Sequence, residues 1–448
     1  MSRTYRMWSP EQVWMFPPSP RDWLPEGHLV YFLMDVTGQV DLSPICTHYE
    51  NGKAGGQPPY HPRMMTTLLL YAYCTGVFSS RRIMARCQSD AAFRVIVGED
   101  IPDFRTISDF RRIHLPVMQD LFVEVLKLCR AAGLLKVGRL ALDGTKIKAN
   151  ASRHKAMSYD RMGPEEERLQ QEIDELLKQA QSTDDAEDTR HGKDRTGEEI
   201  PDELARRESR LKKIREAKAA LEEQARQKAR EHAAQLEAEG KTPRKDPEEA
   251  VPDPKAQRNF TDPDSKIMKT SNKGFDQCGN AQAVVNDDQI IVAADVTNQA
   301  NDVQQVVPML EQTQENLASV GVDEKPQEFV ADAGYYSEPN VSAVEGMEID
   351  PFIATQRLKH HEKIPETPRG RIPSDLSAKQ KMARKLRTKK GRETYAKRKG
   401  MIEPVFGQIK GVRGFRQFLM RGLKKMQGEW TLVCLSHNLL KLFRAECV

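Results

Sequence analysis

The chain has 448 residues, 69 Lys and Arg against 65 Asp and Glu, seven Cys and 38% apolar residues. That excludes one small disulfide-stapled domain and predicts two or three domains. Its longest apolar run, Met64 to Cys74, contains Thr66 and Thr67 and falls short of the roughly 20 residues that span a bilayer, so no membrane segment is expected.

The opening MSRTYRMWSPEQVW has no apolar stretch or small-residue cleavage site, so the chain is expected in the cytoplasm without a secretory signal. Pro10, Pro17, Pro18, Pro20 and Pro25 predict an irregular arm. The remainder up to residue 135 reads as mostly helical. HPRMMTTLLLYAYCTG predicts a helix closed by Gly76, SSRRIMARCQSDAAFRVIVG a helix from a Ser cap to Gly98, and a third begins near Thr106. Arg81, Arg82, Arg86, Arg94, Arg105, Arg111 and Arg112 on these helices fit either a helix-turn-helix-like DNA reader or a cap packed on the next domain.

From Gly138 the period changes: RLALDGTKIKANAS alternates as a strand and carries Asp143. Residues 164–250 then hold 25 acidic and 18 basic residues. Leu169, Ile173, Leu176, Leu177 and Ala180 share one helical face, and after a polar break from Gln181 to Ile200 a rough heptad runs from Leu204 to Leu236, predicting an antiparallel hairpin. Strands AQAVVND, QIIVAADVT, EFVADAGYY and PFIATQ follow, with helices over 302–320 and 339–345 between them. This order describes an α/β domain with mixed strands. Finally, Lys379 to Lys425 holds 17 Lys or Arg against only Glu393 and Glu403, a density that suggests a polyanionic partner.

The cysteines form no C-x-x-C pair and no zinc-finger spacing, and His360–His361 has no companion ligands, so reduced thiols and no His-based metal site are expected. Three acids stand apart. Asp143 lies in an apolar strand, where a carboxylate needs a partner or cation. Asp332 follows Phe329, Val330 and Ala331 where a strand opens into a turn, as α/β sites do. Glu403 is isolated within the basic stretch. Converging, the three would offer an all-oxygen site for Mg²⁺ or Mn²⁺ and phosphoryl transfer by a two-ion mechanism. Structural salt bridges are the alternative for the same acids.

LALDGTKIKANAS, FVADAGYYS and YAKRKGMIEPVFGQIK together resemble the catalytic core of bacterial insertion-sequence transposases, DDE enzymes with an RNase H-like fold. The third stretch resembles that family's Tyr-Arg-Glu-Lys signature through Tyr395, Arg398, Glu403 and Lys410. The signature separates Arg from Glu by three residues and this chain by four, so Lys399 is the alternative occupant of the Arg position. YHPRMMTTLLLYAY and DFRTISDFRR resemble the leading domain of such transposases.

The resemblance implies a mostly helical domain over 1–135 that binds DNA ends. An α/β RNase H-like catalytic domain with a mixed five-stranded sheet would follow in two parts, 136–160 and 261–448, interrupted by a charged helical-hairpin insertion over 161–260. Some relatives carry an insertion between the fifth strand and the Glu helix; here it follows the first strand. By the same resemblance Asp143, Asp332 and Glu403 are catalytic ligands of two Mg²⁺ or Mn²⁺ ions, with Asp143 bridging. Tyr395, Arg398 or Lys399, and Lys410 would contact phosphates, Lys410 two helical turns beyond Glu403 on the same face. Lys146 and Lys148 are further DNA-contact candidates. Pro404 predicts that Glu403 sits at a kink or helix start. The implied partner is double-stranded DNA, both transposon ends and target, bound by a homodimer at the nucleoid. The rival readings are a stand-alone nuclease that cuts without joining and a retired transposase kept as a DNA-binding regulator.

Overall fold

The computed structural model describes residues 20–50, 58–191, 202–238, 240–243, 245–270, 274–356, 367–368, 370, 373 and 375–446. Most of the Pro-rich opening, the His360–His361 pair and Cys447 lie outside the described residues. The first described part is helical: α1 (Leu29–Gln39), α2 (Ser43–Glu50), α3 (Pro62–Cys74), α4 (Ser80–Ser89), α5 (Ala91–Val97), α6 (Phe104–His114) and α7 (Met118–Ala131). α3 starts with Pro62 in its first turn, where a missing N–H costs nothing, and His61 accepts from Arg63 N. It stops at Gly76, whose φ of +77° favours glycine and whose added Cβ would lie 2.6 Å from the Arg413 carbonyl oxygen.

The single helix expected from Ser79 to Gly98 is two. Asp90 adopts an extended conformation (φ −120°, ψ 124°), ends α4 and caps α5 by accepting from Ala92 N. Its local hydrogen bond outcompetes continuation of the helix.

The strands are β1 (Arg139–Lys148), β2 (Ala156–Ser158), β3 (Gln257–Asn259), β4 (Lys266–Lys269), β5 (Phe275–Asn286), β6 (Ile291–Thr297), β7 (Glu328–Ala331) and β8 (Asp350–Ile353). β4 and β6 share one edge of β5; β5, β1, β7 and β8 follow in that order. β5 runs antiparallel to β1, while β7 and β8 run parallel to it. The sheet is mixed as expected, but among the described residues it has six strands rather than five, because β4 extends it over a stretch too short and polar to show alternation.

α10 (Val306–Ser319) packs on β5 and β6, and α11 (Glu338–Gly346) on β8. α12 (Ala378–Arg387) leads into α13 (Lys389–Gly407), which lies over β1 and β7 and continues as a π turn, Gln408–Val412. Glu403 is therefore neither at a helix start nor at a break. Pro404 cannot donate to the Gly400 carbonyl, and the Gln289 side-chain amide donates there instead at 2.8 Å, so the helix runs through the proline.

α14 (Leu423–Glu446) has no amphipathic period because it is buried all round: Trp430, Leu432, Val433, Leu435 and Leu439 expose no surface. It packs against β6 on one side and α3 and α7 on the other. Asn438 both accepts from Ile291 N and donates to Ile291 O, covering the edge of β6. Glu429 is fully buried; it accepts from Tyr73 Oη at 3.1 Å and from the backbone of Leu419 and Met420. Arg111 in turn donates to Tyr73 Oη and to the Phe78 carbonyl. One hydrophobic core consequently runs through the N-terminal helices, the sheet, α13 and α14.

The hairpin α8 (Tyr159–His191) and α9 (Asp202–Ala238) has a separate core of Met162, Leu169, Ile173, Leu204, Leu211, Ile214, Ala217 and Leu221. Arg207–Glu172, Arg210–Glu165 and Arg215–Glu166 pairs lace its two helices, and the β2–β3 ladder closes its base. α8 runs on through Gln181 to His191, where a break was expected, since no Gly or Pro occurs between Pro164 and Gly192.

Removing Arg111 would take away the donor to Tyr73 Oη and the cation whose charge opposes the burial of Glu429, a loss of about 3–5 kcal/mol if it matches that of breaking a buried ion pair. Arg111→Met is expected to lower stability by that order in urea unfolding at unchanged slope; a loss below about 1 kcal/mol would show that the network is not holding α14 to the N-terminal helices.

Candidate active site

β1 is covered along its whole length by β5 but only from Arg139 to Leu142 by β7. Leu142 and Ala331 are the last partners in that parallel ladder, so Asp143 and Asp332 leave it side by side. Asp332 turns its carboxylate into the following 3₁₀ turn, accepting from Gly334 N at 2.8 Å. Asp143 is pulled two ways. Burial pushes its carboxyl up to about 6, with Asp332 adding to the rise, while Arg398 opposes it through a 2.9 Å ion pair to Oδ2. Gly144 leaves room beside it: a Cβ there would lie 2.4 Å from Gln282 Nε2.

Side chains alternate along β1, so Asp143 and Thr145 share one face and Gly144 and Lys146 the other. α13 and its π turn cover the first face. Arg398 reaches Asp143, its guanidinium standing 5.9 Å from the centre of the half-buried Tyr395 ring. Lys410, from the π turn rather than from two regular turns beyond Glu403, donates to Thr145 Oγ1 at 2.8 Å. Burial lowers the Lys410 ammonium pKa, with Arg416 contributing.

On the opposite face Lys146 pairs with Asp302 at 3.0 Å, and Lys148 pairs with Asp276 at 2.9 Å. Lys399 is exposed on α13, so of the two candidates for the Arg position Arg398 is the one that faces Asp143. Glu403 is also exposed. The structure brings Asp143 and Asp332 together but does not gather Glu403 with them: among the described residues no three His, Cys, Asp or Glu lie close enough to hold a metal ion.

Two family models match this chain: a transposase domain, DUF772, over residues 18–112, and a transposase DDE domain over residues 250–439. The chain belongs to the DDE transposases of insertion sequences. No curated protein and no solved structure matches it. The family implies the RNase H-like fold, and the mixed sheet with its flanking helices has that character. The matched segments leave out β1 and the hairpin, so the place of Asp143 rests on the ladder geometry.

The transposase family is metal-dependent and acts on DNA. Its chemistry suits the two oxygen-donor acids found here: Asp143 is desolvated beside Asp332, and a hard divalent cation would relieve that cost. Among the N-terminal arginines Arg81, Arg82, Arg86, Arg105 and Arg112 are exposed and Arg94 is half-buried. Arg111, grouped with them as a possible DNA contact, is buried in the Tyr73–Glu429 network instead. The six described cysteines are free thiols. No described helix is long and apolar enough to cross a membrane.

Two site elements escaped the sequence reading. Gln282 and Asn280 on β5 look like any polar pair in a strand, and Asp302 before α10 looks like a helix cap. It caps nothing with its side chain.

Because the folded pKa of Asp143 lies above the unfolded 3.8, this group contributes stability below pH 4 that is lost as pH rises through about 6. Arg398→Met removes the opposing cation. A carboxyl-carbon NMR titration of metal-free protein is expected to show Asp143 near 6 in the wild type and higher in the variant; an unmoved or lower value would refute the pairing.

Proposed function

We propose that the chain binds the terminal inverted repeats of its insertion sequence, cuts at the element's ends with two Mg²⁺ or Mn²⁺ ions, and joins the freed 3′-hydroxyls to target DNA. The observation that carries this reading is the side-by-side exit of Asp143 and Asp332 from the β1–β7 ladder beneath Arg398 and Lys410. Acids beside cations in one cleft are what a phosphodiester and its metal ions require together.

Asp143 and Asp332 would hold the ions, with Glu403 of α13 as the third ligand. When bound, such ions lower the pKa of an attacking water or 3′-hydroxyl and neutralise charge on the leaving oxygen. The chain's own groups orient the backbone. Arg398 presents a planar fork that suits a phosphate as well as it suits Asp143, and Tyr395 lies beside it. Lys410, already desolvated, supplies a point charge next to β1. The exposed Lys399 fits a looser contact along the DNA. Because two ends must be paired, the working form is a homodimer on DNA at the nucleoid, within the cytoplasm.

The test is cleavage and joining of a duplex that carries the DNA flanking this gene, with Mg²⁺. Wild type is expected to cut and join. Asp332→Asn and Glu403→Gln should each bind normally and cut at least ~100-fold more slowly, the loss of several kcal/mol of charge stabilisation. Cutting by Glu403→Gln at the wild-type rate would remove Glu403 from the ligand set, and binding without cutting by all three proteins would favour a DNA-binding regulator. Mass photometry of the complex is expected to show two chains per paired set of ends; single chains only would overturn the dimer.

A further inference from the structure

Asp302 occupies the N-cap position of the 3₁₀ turn that leads into α10, yet its side chain makes no capping hydrogen bond. An acid at a helix start ordinarily satisfies the free N–H groups there. Here one oxygen, Oδ1, accepts from three side chains of the central strands: Asn280 Nδ2 at 2.6 Å, Gln282 Nε2 at 3.0 Å and Lys146 Nζ at 3.0 Å. All three stand on one sheet face, since Gln282 is opposite Gly144 and Asn280 opposite Lys146 in the antiparallel ladder. Gln282 is itself held, accepting from the buried Tyr335 hydroxyl. The other oxygen of Asp302 points toward the Asp332 turn: a Cβ on Gly334 would lie 3.5 Å from Asp302 Oδ2 and 3.0 Å from Asp332 Oδ1.

This network lies on the far side of β1 from α13. Beyond Leu142 this edge of β1 has no strand partner among the described residues until the isolated bridge between Lys148 and Gln417. Arg398 and Lys410 stand over one face of that open edge, and Lys146 stands on the other. Asn280 Oδ1, buried and without a hydrogen-bond partner among the described residues, also belongs to the second face. A lysine side chain has several free torsions, and an ammonium that must meet a phosphate in one place gains from being tied beforehand.

We propose that Asp302 is a positioning residue that fixes Lys146 on the sheet face opposite α13, so that a DNA strand on the open edge of β1 meets cations from both faces. The inference rests on the DNA-end reading above. It makes an unusual demand, because Asp302 is an anion near DNA. Simple charge repulsion says its removal strengthens binding; the positioning role says its removal weakens binding.

The experiment measures affinity of the full chain for a duplex carrying the gene's flanking DNA over a series of salt concentrations, without divalent metal. Wild type, Asp302→Asn, Lys146→Met and the double variant are compared. Asp302→Asn keeps an acceptor for the two amides and loses the charge that holds Lys146, and thermal unfolding identifies any variant that has lost the fold. Asp302→Asn and Lys146→Met are each expected to weaken binding roughly threefold to tenfold and to reduce the salt slope by about 1, the signature of one lost phosphate contact. The double variant should be no weaker than Lys146→Met alone.

Tighter or unchanged binding by Asp302→Asn, or losses that add in the double variant, would overturn the proposal. If Lys146→Met binds like wild type, the lysine makes no phosphate contact and the proposal falls while the transposase reading stands. If wild type fails to bind the flanking DNA at all, both fall together.

Discussion

The parallel ladder between β1 and β7 stops at the Leu142–Ala331 pair, and the next residue on each strand is an aspartate. Where the pairing of two neighbouring parallel strands stops, the next side chains stand a strand spacing apart, and β1, still paired with β5, is their rigid backing. Everything else at the site adjusts to those two acids. Gly144 and Gly334 leave room for Gln282 and for the carboxylates of Asp332 and Asp302, and Arg398 offsets the cost of taking Asp143 out of water. The raised pKa of Asp143 is the electrostatic record of that crowding.

A second constraint joins the two ends of the chain. α14 is buried on all sides along its middle, from Glu429 to Leu439, and the chain of contacts from Arg111 through Tyr73 to Glu429 ties it to the N-terminal helices. Those helices share their core with the sheet. The exposed Arg81, Arg82 and Arg105 therefore lie on a surface fixed relative to Asp143. The hairpin differs: its own small core and its surface ion pairs make it a unit attached at the β2–β3 base. Surface pairs of that kind contribute little each, so its stability comes mainly from the apolar seam.

Passage of α13 through Pro404 shows how distant segments decide local geometry. Proline removes a donor, and a sequence window containing it predicts a kink. Gln289, more than a hundred positions away in sequence, donates to the carbonyl left over. The π turn that follows then brings Lys410 to Thr145. Neither fact is visible in the residues of the helix itself.

The sequence by itself determined the strands that alternate, the hairpin with its heptad, and the two aspartates, one within an apolar strand and one at the end of another, because periodicity and desolvation act on neighbouring residues. Read locally, it misjudged the break at Asp90, the extent of α8 and the place of Arg111, and it did not mark β4 or α14. A short polar strand has no alternation to show, and a helix buried all round has no face. Only the tertiary structure decided that Arg398 rather than Lys399 faces Asp143 and that Asp302 turns from its helix to the sheet. Those choices depend on which groups lie across a ladder or a packed helix, and such partners are set by three-dimensional register rather than by spacing along the chain.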